Sequence, residues 1–361
     1  MTVKLKDVAE RAGVSLTTVS RLLKEQDQIS VSKETEDRIW TAIRELGYDL
    51  SRGKRGSKKP LKKLRKVGYI LQITKEKFED TFFSKIIHGI EQEIISQRYE
   101  LGFAYTVPDL EDPVILRRVL NSEADGLIFI GSIPNDLLQT LVGRIPNCVA
   151  TLAVPGQHQI DCITIDYEKS FYQLVRQLIQ AGHRDIAFFG GKSYGVSPEE
   201  RAGSFFDKQD ERFQGYLKAL LESGIPIRDE IIKDGNWELD TAYRKMTDML
   251  QSGTKITAVA ASNDRMAIGA MRAIQERGLK IPEEISVTGF DDIEMAQFVF
   301  PPLTTITYHK EEIGRLAVRL LTENMQPQNR IAAAKKIVLP AAIVGRESAK
   351  TILQPHVKLP D

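Results

Sequence analysis

Between residues 67 and 288, short apolar runs of strand composition alternate with amphipathic helical stretches, and this rhythm leaves few folds open. Apolar runs fall at 67–73, 100–106, 126–130, 149–154, 163–165, 186–189, 258–261 and 285–288. Helical periodicity occupies 82–97, 112–121, 135–143, 168–181, 211–223, 239–251 and 265–277. Strands separated by helices form parallel, doubly wound sheets, and so many exceed what one sheet holds comfortably. The rhythm restarts at 163, which predicts two α/β lobes with a ligand cleft at the C-terminal ends of their strands.

A length of 361 residues fits two or three domains. No apolar run approaches the roughly 20 residues of a membrane helix, and the N-terminus MTVKLKDVAERAG has no apolar core of a secretory signal. The two cysteines, Cys148 and Cys162, exclude a disulfide scaffold and point to reduced thiols in a cytoplasmic protein. The five histidines have no ligand spacing, so no metal is expected. No cofactor motif is present: GxGxxG, GxxxxGK[ST], GxSxG and HExxH are all missing. Gly190-Gly191-Lys192 after a strand is a faint phosphate signal. Asp291-Asp292 is a carboxylate pair without a partner nucleophile or metal cluster, better suited to hydrogen-bonding a polar ligand than to catalysis. An enzyme is not expected.

The net charge of +1 conceals an asymmetry. Residues 1–66 hold seventeen Lys and Arg against nine Asp and Glu, and the remainder is acidic. A basic head on an acidic body is suited to a polyanion. In the head, Leu5, Val8, Ala9 and Ala12 share one face of a short helix that Gly13 ends. Ser15 is placed to cap a second helix from Leu16, with Thr17, Thr18, Ser20 and Arg21 outward and Val19, Leu22 and Leu23 inward. Two short helices joined by a Gly turn make a helix-turn-helix. Hydroxyls can meet phosphates or base edges, and an Arg can fork onto guanine. A third helix opens near Ser32, carries Ile39, Ile43 and Leu46, and stops at Gly47. The stretch SRGKRGSKKPLKKLRK at 51–66 has nine basic residues and no acidic one. Its glycines and proline disfavour a free helix, so it is expected to be disordered alone and to follow a phosphate backbone.

The run LKDVAERAGVSLTTVSR at 5–21 closely resembles the head of the LacI–GalR family of bacterial transcription repressors. VSKET at 31–35, ELGY at 45–48, Phe82-Phe83 with Gly89-Ile90-Glu91, ADGLI at 124–128 and AGHRDIAF at 181–188 extend the likeness. SNDRMAIGA at 262–270, ISVTGFDD at 285–292 and PPLTTI at 301–306 complete it, in order, from Leu5 to about Gly345. Within the family the likeness is greatest to repressors of galactoside-use operons.

The resemblance implies a small all-α head and a periplasmic-binding-protein-like body of two parallel-sheet lobes, dimerising on a palindromic operator. It implies a head at 1–50, a basic hinge at 51–66, an effector-binding and dimerisation body at 67–345 and a tail at 346–361. Matching positions make Leu16, Thr17 and Arg21 base readers, with Ser15, Thr18 and Ser20 as phosphate or turn contacts. Lys4 stands where relatives carry a capping Thr and is free to meet a phosphate, as are Arg52, Lys54 and Arg55. The hinge departs from the family: SRGKRGS replaces a helix whose Leu wedges the minor groove, and its two glycines would cost a helix about 2 kcal/mol. For the effector, matching positions are Arg212, Trp237, Asn263 and Asp291, with Phe82 lining the cleft. Arg, Asn and Asp can hold vicinal hydroxyls while Trp stacks on a sugar face, so the expected effector is a small sugar, a galactoside above others. Ala153 stands where many sugar-responsive members have Asp, 193–209 is longer than usual, and the tail lacks a leucine heptad, which favours a dimer. A phosphoprotein corepressor or a non-sugar metabolite is the alternative effector.

Overall fold

The computed structural model describes residues 3–24, 32–48, 64–72, 81–153, 160–191, 210–326 and 333–350. The chain divides into two compact units, 1–63 and 64–361.

In the first unit, helix α1 (Leu5–Ala12) ends at Gly13, whose φ of 66° no side chain adopts cheaply. The Ser15 hydroxyl accepts the Thr18 N–H at 3.1 Å and caps α2 (Leu16–Lys24). Helix α3 (Lys33–Leu46) starts under the Ser32 cap and stops at Gly47. Val8, Ala9, Ala12, Val19, Ile39, Ala42 and Ile43 bury together as the core of this unit. The α1 start lacks a Ser or Thr cap. The Asp7 carboxylate compensates by accepting the Lys4 N–H at 2.7 Å, which leaves the exposed ammonium uncommitted.

The second unit holds β1 (Lys66–Leu71), α4 (Thr81–Ser96), β2 (Glu100–Thr106), α5 (Pro113–Leu120), β3 (Gly126–Ile130), α6 (Asn135–Val142), β4 (Cys148–Thr151) and β5 (Asp161–Ile165). It continues through α7 (Tyr167–Gln180), β6 (Ile186–Gly190), α8 (Glu211–Glu222), β7 (Ile232–Asp234), α9 (Leu239–Gln251), β8 (Ala258–Ala261), α10 (Asp264–Glu276) and β9 (Ser286–Thr288). The last elements are β10 (Thr305–Tyr308), α11 (Lys310–Asn324), β11 (Lys336–Leu339) and β12 (Ala341–Val344).

Two parallel sheets result, as the alternation requires. One has the order β11-β5-β4-β3-β1-β2 and the other β7-β6-β8-β9. A two-stranded antiparallel pair, β10 with β12, accompanies them. The restart at 163 does not open the second lobe, because β5 pairs in parallel with β4 in the first sheet. The second lobe begins with α7, which packs on α8. The chain then returns: α11 lies on α4, and β11 adds to β5. The α4–α11 approach requires glycine, because a Cβ on Gly314 would strike the Ile86 carbonyl. The missing side chain lets two helices touch through their backbones and ties the returning helix to the first lobe.

Candidate functional site

On α2 the outward residues separate by burial. Thr17 and Arg21 are exposed, Leu16 is 49% exposed, Ser20 is half-buried and Val19 is fully buried. Leu16 is thus a surface position, on the helix that also carries Thr17 and Arg21, and not part of the core of this unit. Thr18 is half-buried, and its hydroxyl is 2.8 Å from that of Ser15. Those two hydroxyls are engaged with each other at the helix start. Arg52, Lys54 and Arg55 lie outside the described residues, as do 192–209 and 351–361.

In the body, the five residues singled out for the effector are joined by one continuous chain of contacts. Asp210, buried directly before α8, caps that helix by accepting the Arg212 N–H at 3.0 Å. The same carboxylate oxygen accepts from the Arg212 guanidinium at 3.2 Å. That guanidinium lies 4.4 Å from the Trp237 ring centre, 5.0 Å from Tyr167 and 5.8 Å from Phe290. It also donates to the Ser262 carbonyl at 3.3 Å. Burial alone would lower its pKa, but Asp210, Tyr167 and Asp291 together hold it above the usual arginine value. The charge is therefore fixed inside an aromatic box.

Asn263 caps α10, accepting the Met266 N–H at 2.8 Å and donating to the Trp237 carbonyl at 3.2 Å. One N–H and one lone pair of its amide remain for a ligand. Asp291 accepts from the Tyr308 hydroxyl at 2.8 Å, and Tyr308 meets Phe82 edge-on at 6.4 Å between ring centres. Phe290 stacks on Tyr167 at 5.7 Å. Burial, and then the Asp291 charge, push the Tyr308 hydroxyl well above its ordinary pKa, so it stays a donor.

Trp237, Asp291 and Asp292 have φ of 61°, 103° and 47°. Side chains rarely tolerate that region, and residues held there cluster at sites where geometry is over-determined by function. Gly191 presses on the Trp237 indole, where a Cβ would collide with the ring. Gly191, directly after β6, thus makes room for an aromatic wall. Two buried acceptors, Asp210 Oδ2 and Ser262 Oγ, have no hydrogen-bond partner among the described residues.

Sequence reasoning missed Tyr167, Asp210, Phe290 and Tyr308. Only adjacency marked them: Phe290 precedes the Asp pair, and Asp210 and Arg212 flank one residue. Asp264 is fully buried at the start of α10 beside this cluster. Burial and the Asp291 charge push its carboxyl well above the usual range. It accepts from the Ile293 N–H at 2.8 Å and from the Thr305 hydroxyl, so its role is to hold the Asp291-Asp292 loop. Cys148 and Cys162 are buried thiols pushed up to about 12 by desolvation, which makes them inert packing groups. Among the described residues no cluster of His, Cys, Asp or Glu could hold a metal ion, and no helix is long and apolar enough to cross a membrane.

Comparison with known proteins reads these two units together. Residues 4–50 match the model for bacterial regulatory proteins, lacI family, and residues 175–349 match that for a periplasmic binding protein-like domain. Catabolite control protein A of Priestia megaterium is 30% identical over 352 residues, covering 97% of this chain and 100% of the relative. The chain belongs to the lacI family of bacterial regulatory proteins. The HTH-type transcriptional repressor MelR of Bacillus subtilis is 31% identical over 349 residues, 96% of this chain and 97% of MelR. Among solved structures, the Lac repressor dimer bound to operator and the anti-inducer ONPF is 26% identical with a TM-score of 0.68, covering 96% of this chain and 99% of that one. The CelR–cellobiose complex is 26% identical with a TM-score of 0.67, covering 96% of this chain and 100% of that one. This lacI-family member is thus a DNA-binding transcription regulator of a non-enzymatic family, with a helix-turn-helix head and a periplasmic-binding-protein-like body.

Proposed function

We propose that this lacI-family regulator is a dimeric repressor of a carbohydrate-use operon, released or engaged by a small sugar bound between its lobes. In this reading 1–50 is the DNA head, 51–66 the hinge, 67–345 the effector and dimerisation body, and 346–361 a tail. Leu16, Thr17 and Arg21 face base edges of a palindromic operator. Lys4, Ser20, Arg52, Lys54 and Arg55 meet the phosphate backbone, and Ser15 and Thr18 hold the turn. The single observation that carries the effector half is the Arg212 guanidinium stacked on Trp237 and paired with Asp210, in one contact chain with Asn263, Asp291 and Phe82. Such a box offers a ligand aromatic faces and several fixed polar groups, the demands of a polyol with an apolar face. The unpartnered Asp210 Oδ2 and Ser262 Oγ are acceptors in need of hydroxyl donors. The CelR structure is a cellobiose complex, which supports a sugar.

A galactoside is the first sugar to try. Operator retention on a gel should change on titration with it, and Asp291→Ala should remove that response. If Asp291→Ala responds at the same concentration as wild type, the site is wrong. If wild type ignores sugars but answers to a phosphoprotein or another metabolite, the effector class is wrong and the repressor stands.

A further inference from the structure

Asp291 and Asp292 are consecutive residues with left-handed backbone, and neither is a glycine. Such a turn relaxes unless its surroundings hold it. Its main chain is tied on both sides. The Asp291 N–H donates to the Ile306 carbonyl at 2.9 Å, and the Phe290 carbonyl accepts the Asp264 N–H at 2.8 Å. The Asp264 carboxyl in turn accepts the Ile293 N–H at 2.8 Å. The two side chains of the turn then part. Asp291 is 8% exposed and accepts from the Tyr308 hydroxyl, inside the contact chain assigned to the effector. The Asp292 carboxylate has one hydrogen-bond partner among the described residues, the Arg346 guanidinium at 2.6 Å.

Arg346 lies 54 residues further along the chain, just after β12, and is itself held from several sides. Its other terminal nitrogen donates to the Leu303 carbonyl at 2.8 Å, and its backbone N–H to the Thr304 hydroxyl at 2.9 Å. Two residues on, the fully buried Ser348 hydroxyl donates to the Val287 carbonyl at 2.6 Å and accepts the Thr304 N–H at 2.8 Å. The segment that carries Arg346 is thereby stitched to β9 and to 303–304. The Arg346 and Asp292 side chains are 19% and 22% exposed. A short, charge-assisted bond from a donor already fixed in place differs from a surface ion pair, in which two mobile side chains must be ordered. It sets where the 291–292 backbone sits, and so where the Asp291 carboxylate points.

We propose that Arg346 is a positioning residue of the effector site: through Asp292 it holds Asp291 in the orientation that meets the ligand, without touching the ligand itself. The inference rests on the sugar reading above for the identity of that ligand. It divides the carboxylate pair, with Asp291 as the contact and Asp292 as the grip. A binding group whose orientation is locked by a further partner holds its ligand more tightly than one free to turn, because the ordering cost is met before the ligand arrives. Arg346 also ties 346–350 to the second lobe, and Ser348 separates that role from positioning. It fastens the same segment, but bonds to Val287 and Thr304 rather than to Asp292.

The test titrates the full-length protein, in a Trp40→Phe background, with galactose, methyl β-galactoside and cellobiose. Trp237 emission and operator release give the midpoint, and the unliganded melting temperature checks folding. Arg346→Met should raise the midpoint of the sugar that binds by about tenfold, the lower end of what loss of an orienting partner costs a metal ligand. Asp292→Asn, a residue that tolerates left-handed backbone, should raise it in the same direction. The double variant Arg346→Met/Asp292→Asn should raise it no further than Arg346→Met alone. Ser348→Ala should lower the melting temperature and leave the midpoint unchanged. If Arg346→Met does not fold, Asp292→Asn set against Ser348→Ala decides. An unchanged midpoint in Arg346→Met, an equal shift in Ser348→Ala, or a double variant that multiplies the two losses overturns the positioning role and leaves the sugar reading standing. If wild type binds none of these sugars, the sugar reading fails and amide exchange decides on Arg346. Faster exchange at Asp291 and Ile293 in Arg346→Met than in Ser348→Ala upholds the grip on the turn, and equal exchange overturns it.

Discussion

Replacing Arg212 with methionine separates the two things that this side chain does. Its side chain is 19% exposed and that of its partner Asp210 only 4%. Methionine keeps the length and most of the contact with Trp237, Tyr167 and Phe290, but it strands the Asp210 carboxylate. Removing one member of a buried pair costs about 3–5 kcal/mol, because the survivor stays desolvated. Here the Arg212 backbone N–H still reaches Asp210 at 3.0 Å, and the α8 N-terminus still favours a negative charge. The cost should therefore sit at the low end, about 3 kcal/mol. At about 2–4 °C per kcal/mol for a unit of this size, the body should melt about 6–12 °C lower.

The chain has two tryptophans, so a Trp40→Phe background leaves Trp237 as a reporter inside the box itself. Unfolding in urea or with heat, followed by Trp237 emission, reads the body alone. The double variant Asp210→Asn/Arg212→Met removes both charges and should recover about 1–3 kcal/mol of the loss. Arg212→Met melting within about 1 kcal/mol of wild type would refute the reasoning, since Asp210 would then be satisfied without it. A double variant no more stable than the single would refute it equally.

Three further outcomes follow from the same geometry. Arg21→Ala should weaken operator binding by about 1–3 kcal/mol and relax the preference at one base pair, whereas equal loss on random DNA in a mobility-shift series would exclude base reading. Gly314→Ala puts a Cβ against the Ile86 carbonyl and should cost about 1–3 kcal/mol in urea denaturation, through separation of α11 from α4. His183 is 6% exposed, with Nδ1 3.0 Å from the Thr257 hydroxyl and no partner for Nε2 among the described residues. Burial, then Lys350, lower its pKa, so the unfolded chain binds the proton more readily. Stability should be full above the unfolded value of about 6.5 and fall as the pH drops below it, and His183→Gln should flatten that slope between about pH 7.5 and 5.5.

Local chemistry was legible in the chain, and long-range pairing was not. Gly13, Ser32 and Gly47 bound their helices because a left-handed cap and a hydroxyl cap act within a few residues. The strand at 163–165 looked like the first of a new sheet, since nothing local says which neighbour an apolar strand will choose. The structure pairs β5 with β4. Strand β7 is three residues, Ile-Lys-Asp, and β11 is an edge strand with Val338 49% exposed, so neither carries the apolar signature of a central strand. Within the site, Arg212, Trp237, Asn263 and Asp291 were visible through a resemblance. Tyr308 was not, because its place depends on long-range neighbours, Phe82 on α4 and Phe290 with Asp291 after β9, which come together only once α11 has returned to α4. That return depends on Gly314, a residue with no side chain to notice.

The route of the chain also explains how a ligand at this site could move the lobes. Asp291 and Phe290 follow β9 of the second lobe, and Phe290 stacks on Tyr167 and on Phe171 of α7. Tyr308 ends β10, directly before the chain passes to α11, and it touches Phe82 on α4 of the first lobe. The Tyr308–Asp291 hydrogen bond therefore holds the ring that meets the first lobe at Phe82, and it sits where the proposed ligand would compete for or reinforce it. A ligand changes the lobe equilibrium only by its difference in affinity for the two arrangements, typically about 1–3 kcal/mol. One buried hydrogen bond to a charged acceptor, worth about 1.5–3 kcal/mol, spans that range by itself. Tyr308→Phe should then shift the effector midpoint for operator release by about 10-fold or more while lowering operator affinity without effector far less than a head mutation would. An unchanged midpoint would mean that the link does not carry the signal.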